Sequence, residues 1–234
     1  MKTTLPEITQ SFIAKIKQDA AKGTYSVDVS GIKIDVFPYI FPPCSPFSES
    51  THTVYDQFGD LNGKEVLDIG TGTGIQAIQA SLAGAKQVDA CDILSEAVDC
   101  AKHNVNINGL SQKINCFQSD LFSNVLLKRY DLIIANLPIV DCAETDLRLH
   151  SLIDPSFMYH ERLFADSKPY LSDTGKITLC HADLQSKDDF GKLEGLATKN
   201  GFDYTIRKEV CSLGHTWRNY EFSLSKKIGA VKDD

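Results

Sequence analysis

Residues 66–75 read Val66-Leu-Asp-Ile-Gly-Thr-Gly-Thr-Gly-Ile75, and the fold is decided here. A short apolar run enters three alternating glycines and leaves them with helical spacing. Glycine carries no Cβ, so a ligand can approach the backbone closely. The helix behind such a loop presents unpaired N–H groups in the same direction. Three alternating glycines exceed what a bare strand-to-helix turn requires. In open α/β sheets, ligands bind beyond the carboxyl ends of the strands, which this turn should border.

Downstream of this stretch, strand and helix patterns alternate. Strands are predicted at Glu65–Ile69, Gln87–Ile93, Lys113–Gln118, Asp131–Ala135 and Lys176–Cys180, with two more near 202–210 and 219–225. Helices are predicted from Gly74 to Leu82, from Ser95 to Asn106, near 155–171 and near 187–199. Ser95, followed by Glu96 and Asp99, reads as an N-cap with an acidic first turn. Asp131-Leu-Ile-Ile-Ala135 shows no polar alternation, as a strand covered on both faces should. Such alternation predicts an α/β fold, a doubly wound, mostly parallel sheet. The short loop between the last two strands makes the final one antiparallel.

Upstream, Ile8, Phe12, Ile13 and Ile16 recur at helical spacing over residues 7–22. Residues 25–36 alternate around Ser30-Gly31 as a β-hairpin. Phe37–Phe47 then holds four of the eight prolines, so it is neither a helix nor a central strand. The expected organisation is an arm with a proline-rich lid over 1–48 and a catalytic domain over 49–234.

The 234 residues carry 24 Lys and Arg against 31 Asp and Glu, a net charge of −7. That balance argues against retention on nucleic acid by the overall field. No apolar run approaches the ~20 residues that span a bilayer, and the N-terminus lacks a signal-peptide core. Seven cysteines occur without a Cys-x-x-Cys pair, so neither a disulfide framework nor a zinc site is suggested. A reducing, cytoplasmic location is expected. His150, His160 and His181 show no ligand spacing, and no metal is expected.

Gly72-Thr-Gly-Ile-Gln-Ala77 satisfies a relaxed dinucleotide pattern, but two residues late relative to the strand. With Asp68 two residues before Gly70, the motif instead resembles the first motif of class I S-adenosylmethionine-dependent methyltransferases. The likeness covers about residues 52–225. It implies S-adenosylmethionine as cofactor and S-adenosylhomocysteine as product. It also implies that Gly70, Thr71, Gly72 and Gly74 pack against the methionine part, with Asp68 near its amino group. By the same likeness Asp92 takes the ribose hydroxyls, Ile93 touches the adenine, and Asp120 with Leu121 meets the adenine amino group.

Asn136-Leu-Pro-Ile139 resembles the Asn-Pro-Pro-Tyr motif of methyltransferases acting on planar nitrogens. The resemblance implies that Asn136 and the Leu137 carbonyl accept hydrogen bonds from the substrate NH₂ beside Pro138, and places Asn136 also at the cofactor. Ile139 departs from that pattern, since no aromatic stands there to stack on the planar group. Asn104-Val-Asn-Ile-Asn-Gly109, Ser119-Asp-Leu-Phe122 and the N-terminal helix with hairpin resemble the protein-glutamine N5-methyltransferase branch. The acceptor is therefore expected to be a protein amide, with a small metabolite as the alternative and nucleic acid disfavoured. A metabolite O- or N-methyltransferase, a catalytically silent cofactor-binding module and a nicotinamide oxidoreductase stay open on the residues alone. His215 and Trp217 are favoured as an exposed histidine and a packed tryptophan, with a place at the edge of the substrate mouth as the alternative, and Arg148 and Arg162 read as partners in surface salt bridges.

Overall fold

The computed structural model describes residues 5–44, 49–143 and 146–226. Helix α1 (Glu7–Ala20) precedes a hairpin of β1 (Tyr25–Val29) and β2 (Ile32–Val36). Its turn places Ser30 at φ 55 and Gly31 at φ 82, the double positive φ of a type I′ turn. A short helix, α2 (Glu49–Tyr55), follows. Then come β3 (Glu65–Ile69), α3 (Ile75–Leu82), β4 (Gln87–Asp92), α4 (Ser95–Ile107), β5 (Ile114–Gln118) and β6 (Tyr130–Ile134). The chain ends with α5 (Met158–Asp166), β7 (Leu171–Ala182), α6 (Asp189–Lys199), β8 (Phe202–Ser212) and β9 (His215–Leu224).

The large sheet has seven strands in the order β5-β4-β3-β6-β7-β9-β8. All pairings are parallel except those of β9, which runs antiparallel to both β7 and β8. The doubly wound expectation therefore holds, with the reversed strand inserted next to the edge. After β3 the chain winds outward through β4 and β5 and then returns to β6 on the other side. The β3–β6 junction is thus the topological switch point.

Alternate residues of each strand feed separate cores. Val66, Val88, Ile134 and Cys180 face a cluster that also takes in α3, α4, α1 and β2. Leu67, Ile69, Ile133, Leu179 and Phe222 face a second cluster with α5 and α6. The arm joins the first core through Phe12, Ile13, Ile16, Ile34 and Val36, all buried. Asn104 of α4 locks it down: its Nδ2 donates to Asp35 O at 2.8 Å and to Thr73 O at 2.9 Å, and its Oδ1 accepts from Asp35 N at 2.8 Å.

Two local expectations need correction. Ser95 is not the cap of α4; Leu94 holds that position, its N–H donates to Asp92 Oδ1 at 3.1 Å, and Ser95 Oγ turns instead to Glu96. The single helix predicted near 155–171 is broken, because Ser156 and Phe157 adopt φ 59 and Pro169 supplies no N–H. Helix α2 had no counterpart in the sequence reading. No described helix is long and apolar enough to cross a membrane.

Candidate active site

Parallel register sets two loops side by side. Asp68 of β3 pairs with Ile134 of β6, so the chain leaves the sheet at Gly70 and at Asn136 from adjacent strands. An ideal Cβ on Gly70 would lie 3.8 Å from Leu137 Cδ2. Gly70 N and Thr71 N both donate to Cys91 O, at 2.8 and 3.0 Å, which ties the glycine loop to β4.

A cavity of about 170 Å³ opens over these strand ends. Its wall includes Gly70, Thr71, Gly72, Asp92, Ile93, Asp120, Leu121, Asn136, Leu137 and Pro138. Asp68 and Gly74, also predicted for the site, lie behind that wall. Asp68 is 1% exposed and its Oδ2 accepts from Thr71 Oγ1 at 2.6 Å, so it braces the loop from beneath. Gly74 opens α3 at φ 84, where a Cβ would come within 3.2 Å of Ala101 Cα. Its glycine character serves the packing of α3 on α4.

Asp92 stands half-buried at the end of β4. Its Oδ2 accepts from Gly72 N at 3.0 Å and its Oδ1 from Leu94 N. Burial pushes its carboxyl up, and the N–H groups of Leu94, Gly72 and Ile93 partly counter this. Burial likewise lifts Asp68, to about 7, opposed by Thr71 and Ala77 and reinforced by the charge of Asp92. Asp120 accepts from Arg162 Nη1 at 2.9 Å, and Arg148 pairs with Asp146 at 2.7 Å. Both arginines are thus engaged in salt bridges, as expected.

The acceptor-side residues are built by different elements. Leu137 N donates to Ala135 O at 2.8 Å, which tightens the turn after β6. Asn136 Nδ2 donates to Ser50 Oγ of α2 at 3.4 Å. Trp217 is 4% exposed, with Nε1 donating to Ser212 O, and it lines the same cavity. His215 is partly exposed and turns to Asp183. The arm contributes Thr9, Phe12, Tyr39, Ile40, Phe41 and Pro43 to the wall, while Phe47 lies outside the described residues.

Ser50, His150 and Tyr159 also line the cavity without any signal in the sequence that places them there, whereas Trp217 fits both of its expected readings, packed and at the cavity wall. His150 Nδ1 and Tyr159 Oη meet at 2.7 Å. His160 and His181 are instead buried, with rings 5.3 Å apart and His160 Nδ1 on Asp154 Oδ2 at 2.7 Å. Among the described residues no group of three His, Cys, Asp or Glu side chains is arranged to hold a metal ion.

The arrangement combines a backbone cradle, an acid with its lone pairs partly free, an apolar slot of Ile93, Leu94, Ala97 and Leu121, and a carboxamide. The Ribosomal protein L11 methyltransferase (PrmA) family matches residues 52–144. A Methanocaldococcus jannaschii protein, provisionally named a protein N5-glutamine methyltransferase, is 30% identical over 74% of this chain and 88% of its own. The ribosomal protein uL3 glutamine methyltransferase of Francisella tularensis is 27% identical over 82% of this chain and 59% of its own. The ribosomal protein L11 methylase of Lactobacillus delbrueckii subsp. bulgaricus shares the fold at a TM-score of 0.60 and 20% identity, over 86% of this chain and 98% of its own.

Proposed function

The chain belongs to the family of protein N5-glutamine methyltransferases, S-adenosylmethionine-dependent enzymes that methylate nitrogen, and we propose that its own acceptor is a glutamine carboxamide of a protein, held at Asn136. The observation that supports this reading is the shared wall: Gly70, Asp92 and Asn136 stand at neighbouring strand ends around one cavity.

The residues suit the cofactor. Two oxygens of Asp92 already hold the N–H groups of Gly72 and Leu94, which fixes the carboxylate for a pair of ribose hydroxyls. The apolar slot takes a flat heteroaromatic ring, and Asp120 stands beyond Leu121 for a ring amino group. The glycine loop, with φ 72 at Gly70 and φ 54 at Gly72, carries no side chain at these two positions, so the methionine part can approach the backbone closely. Bound between Asp92 and the glycine loop, S-adenosylmethionine would supply an activated methyl group for the amide nitrogen, its sulfur leaving with the electron pair of the broken carbon–sulfur bond and the amide proton passing to solvent.

The protein's task is then to hold and shield. Asn136 Oδ1 and Leu137 O accept hydrogen bonds from the acceptor NH₂, orient it and stabilise the positive charge developing on nitrogen. Leu137, Ile139 and Phe12 keep water from the reacting atoms. The relatives' names point to ribosomal proteins as acceptors, and the net charge of −7 with both nearby arginines already paired disfavours nucleic acid.

Incubating the enzyme with tritiated S-adenosylmethionine and total ribosomal protein tests the proposal. The expected product is N5-methylglutamine after enzymatic hydrolysis, with Asn136→Ala slowing the reaction at least ~100-fold while still binding S-adenosylhomocysteine. Label found only in nucleic acid or small molecules, or full activity in Asn136→Ala, would contradict it.

A further inference from the structure

The turn after β6 brings an aliphatic side chain, Ile139, into the cavity wall beside Asn136, Leu137 and Pro138, and none of these four residues offers an aromatic face to a planar group. The cavity contains such a face from another strand. Trp217, the only tryptophan of the chain, stands near the start of β9 opposite Ala182, the last residue of β7. Strands lie about 4.8 Å apart. Counted across the sheet, β9 is two strands from β6 and four from β4, so Trp217 belongs to the Asn136 end of the cavity and not to the Asp92 end. Leu184 and Ile139 line the cavity with it.

A chain of contacts links this indole to the carboxamide. Trp217 Nε1 donates to Ser212 O at 3.3 Å. Ser212 Oγ donates to Glu49 Oε1 at 3.1 Å, which anchors the start of α2. The next residue, Ser50, is 7% exposed and accepts from Asn136 Nδ2. Gln76 Nε2 holds Thr51 O at 3.0 Å, fixing α2 from the other side. With its NH₂ engaged by Ser50, the Asn136 carboxamide has its oxygen left for an incoming NH₂.

We propose that Trp217 and Ser50 complete the acceptor subsite: the indole face walls the planar carboxamide, and Ser50 is a positioning residue that sets which end of Asn136 the acceptor meets. This rests on the amide-acceptor reading above. A planar amide against an aromatic face gains dispersion that a branched aliphatic gives less well. The substrate class this selects is a flat, neutral carboxamide.

The lone tryptophan supplies its own readout. The protein is saturated with S-adenosylhomocysteine, and Nα-acetyl-L-glutamine methylamide is titrated while indole emission is followed. The expected result is little change on the first addition and quenching on the second. By equilibrium dialysis with labelled probe, Trp217→Leu should weaken probe binding about five- to tenfold with S-adenosylhomocysteine affinity retained, and Trp217→Phe should restore most of it. Ser50→Ala should lower kcat more than it raises KM, with Ser50→Thr rescuing. Equal probe affinity in Trp217→Leu, or probe binding without any change in emission, would overturn the subsite. If Trp217→Leu fails to bind S-adenosylhomocysteine, the indole emission of the wild type and the dialysis affinity of Trp217→Phe for the probe decide. A wild type that binds S-adenosylhomocysteine but no probe would defeat the amide-acceptor reading itself, and this subsite with it.

Discussion

Asp68 holds its proton against the ordinary behaviour of a carboxyl. Burial raises it to about 7 in the folded chain, whereas unfolded it ionises near ~3.9. The native state therefore binds the proton more tightly. The stability this contributes is complete below about pH 4 and is lost as pH rises toward 7, by roughly 4 kcal/mol at the end of the window. Asp68→Asn keeps an acceptor for Thr71 without the charge, so urea unfolding at pH 5 and pH 8 should show a smaller difference in the variant than in the wild type. Equal differences would show that Asp68 is not the group responsible. The positions of Asp92 and Asn136 were legible in the sequence because each follows an apolar run, and parallel strands deliver their last residues to one edge; Asp120, which follows Gln118 and Ser119, was singled out only by the family resemblance. The facing of Asp68 was harder to read. One residue of alternation along β3 sends Leu67 and Ile69 to one core and Asp68 beneath the glycine loop.

Elements carry the next level of specification. Asn104 is fully buried and serves one strand and one loop at once, linking Asp35 of β2 to Thr73 of the glycine loop. Asn104→Ala strands those backbone groups and should cost about 2–4 kcal/mol, seen as a lower urea midpoint with faster proteolysis within the arm. Stability within ~0.5 kcal/mol of wild type would show that the arm docks without it. Gly74→Ala should cost about 1–3 kcal/mol, since a side chain there meets both a positive φ and Ala101; calorimetry checks this, and an unchanged melting temperature would contradict it. The sequence displayed Asn104 as part of an asparagine-rich run and gave no reason for it, because its partners lie far away along the chain. Most strands and helices were legible from hydrophobic period and their glycine stops. Helix α2 was not, because in seven residues only Val54 and Tyr55 offer an apolar signal, and its placement comes from Gln76 and Ser212. For Trp217 the sequence left packing and the substrate mouth as alternatives, and the pairing of β9 with β7 brings it to the cavity.

Across the whole molecule, the chain reversal between β5 and β6 opens the crevice, and the hairpin of β8 and β9 with α2 closes its far side. The arm adds Phe12, Ile40 and Phe41 to its wall. A ligand filling this cavity binds only the folded state, so S-adenosylhomocysteine at 100 times its Kd should stabilise by about 2.7 kcal/mol. For a chain of this size that corresponds to a rise in Tm of roughly 5–10 °C, and a thermal melt with no such rise under saturating ligand would contradict a preformed site. The most direct measurement is isothermal titration of the wild type, Asp92→Ala and Asn136→Ala with S-adenosylhomocysteine. We expect micromolar binding to the wild type, a loss of at least ~10-fold in Asp92→Ala, and near-wild-type affinity in Asn136→Ala. Absence of binding to the wild type, or undiminished binding to Asp92→Ala, would contradict the placement of cofactor and acceptor at opposite ends of this cavity.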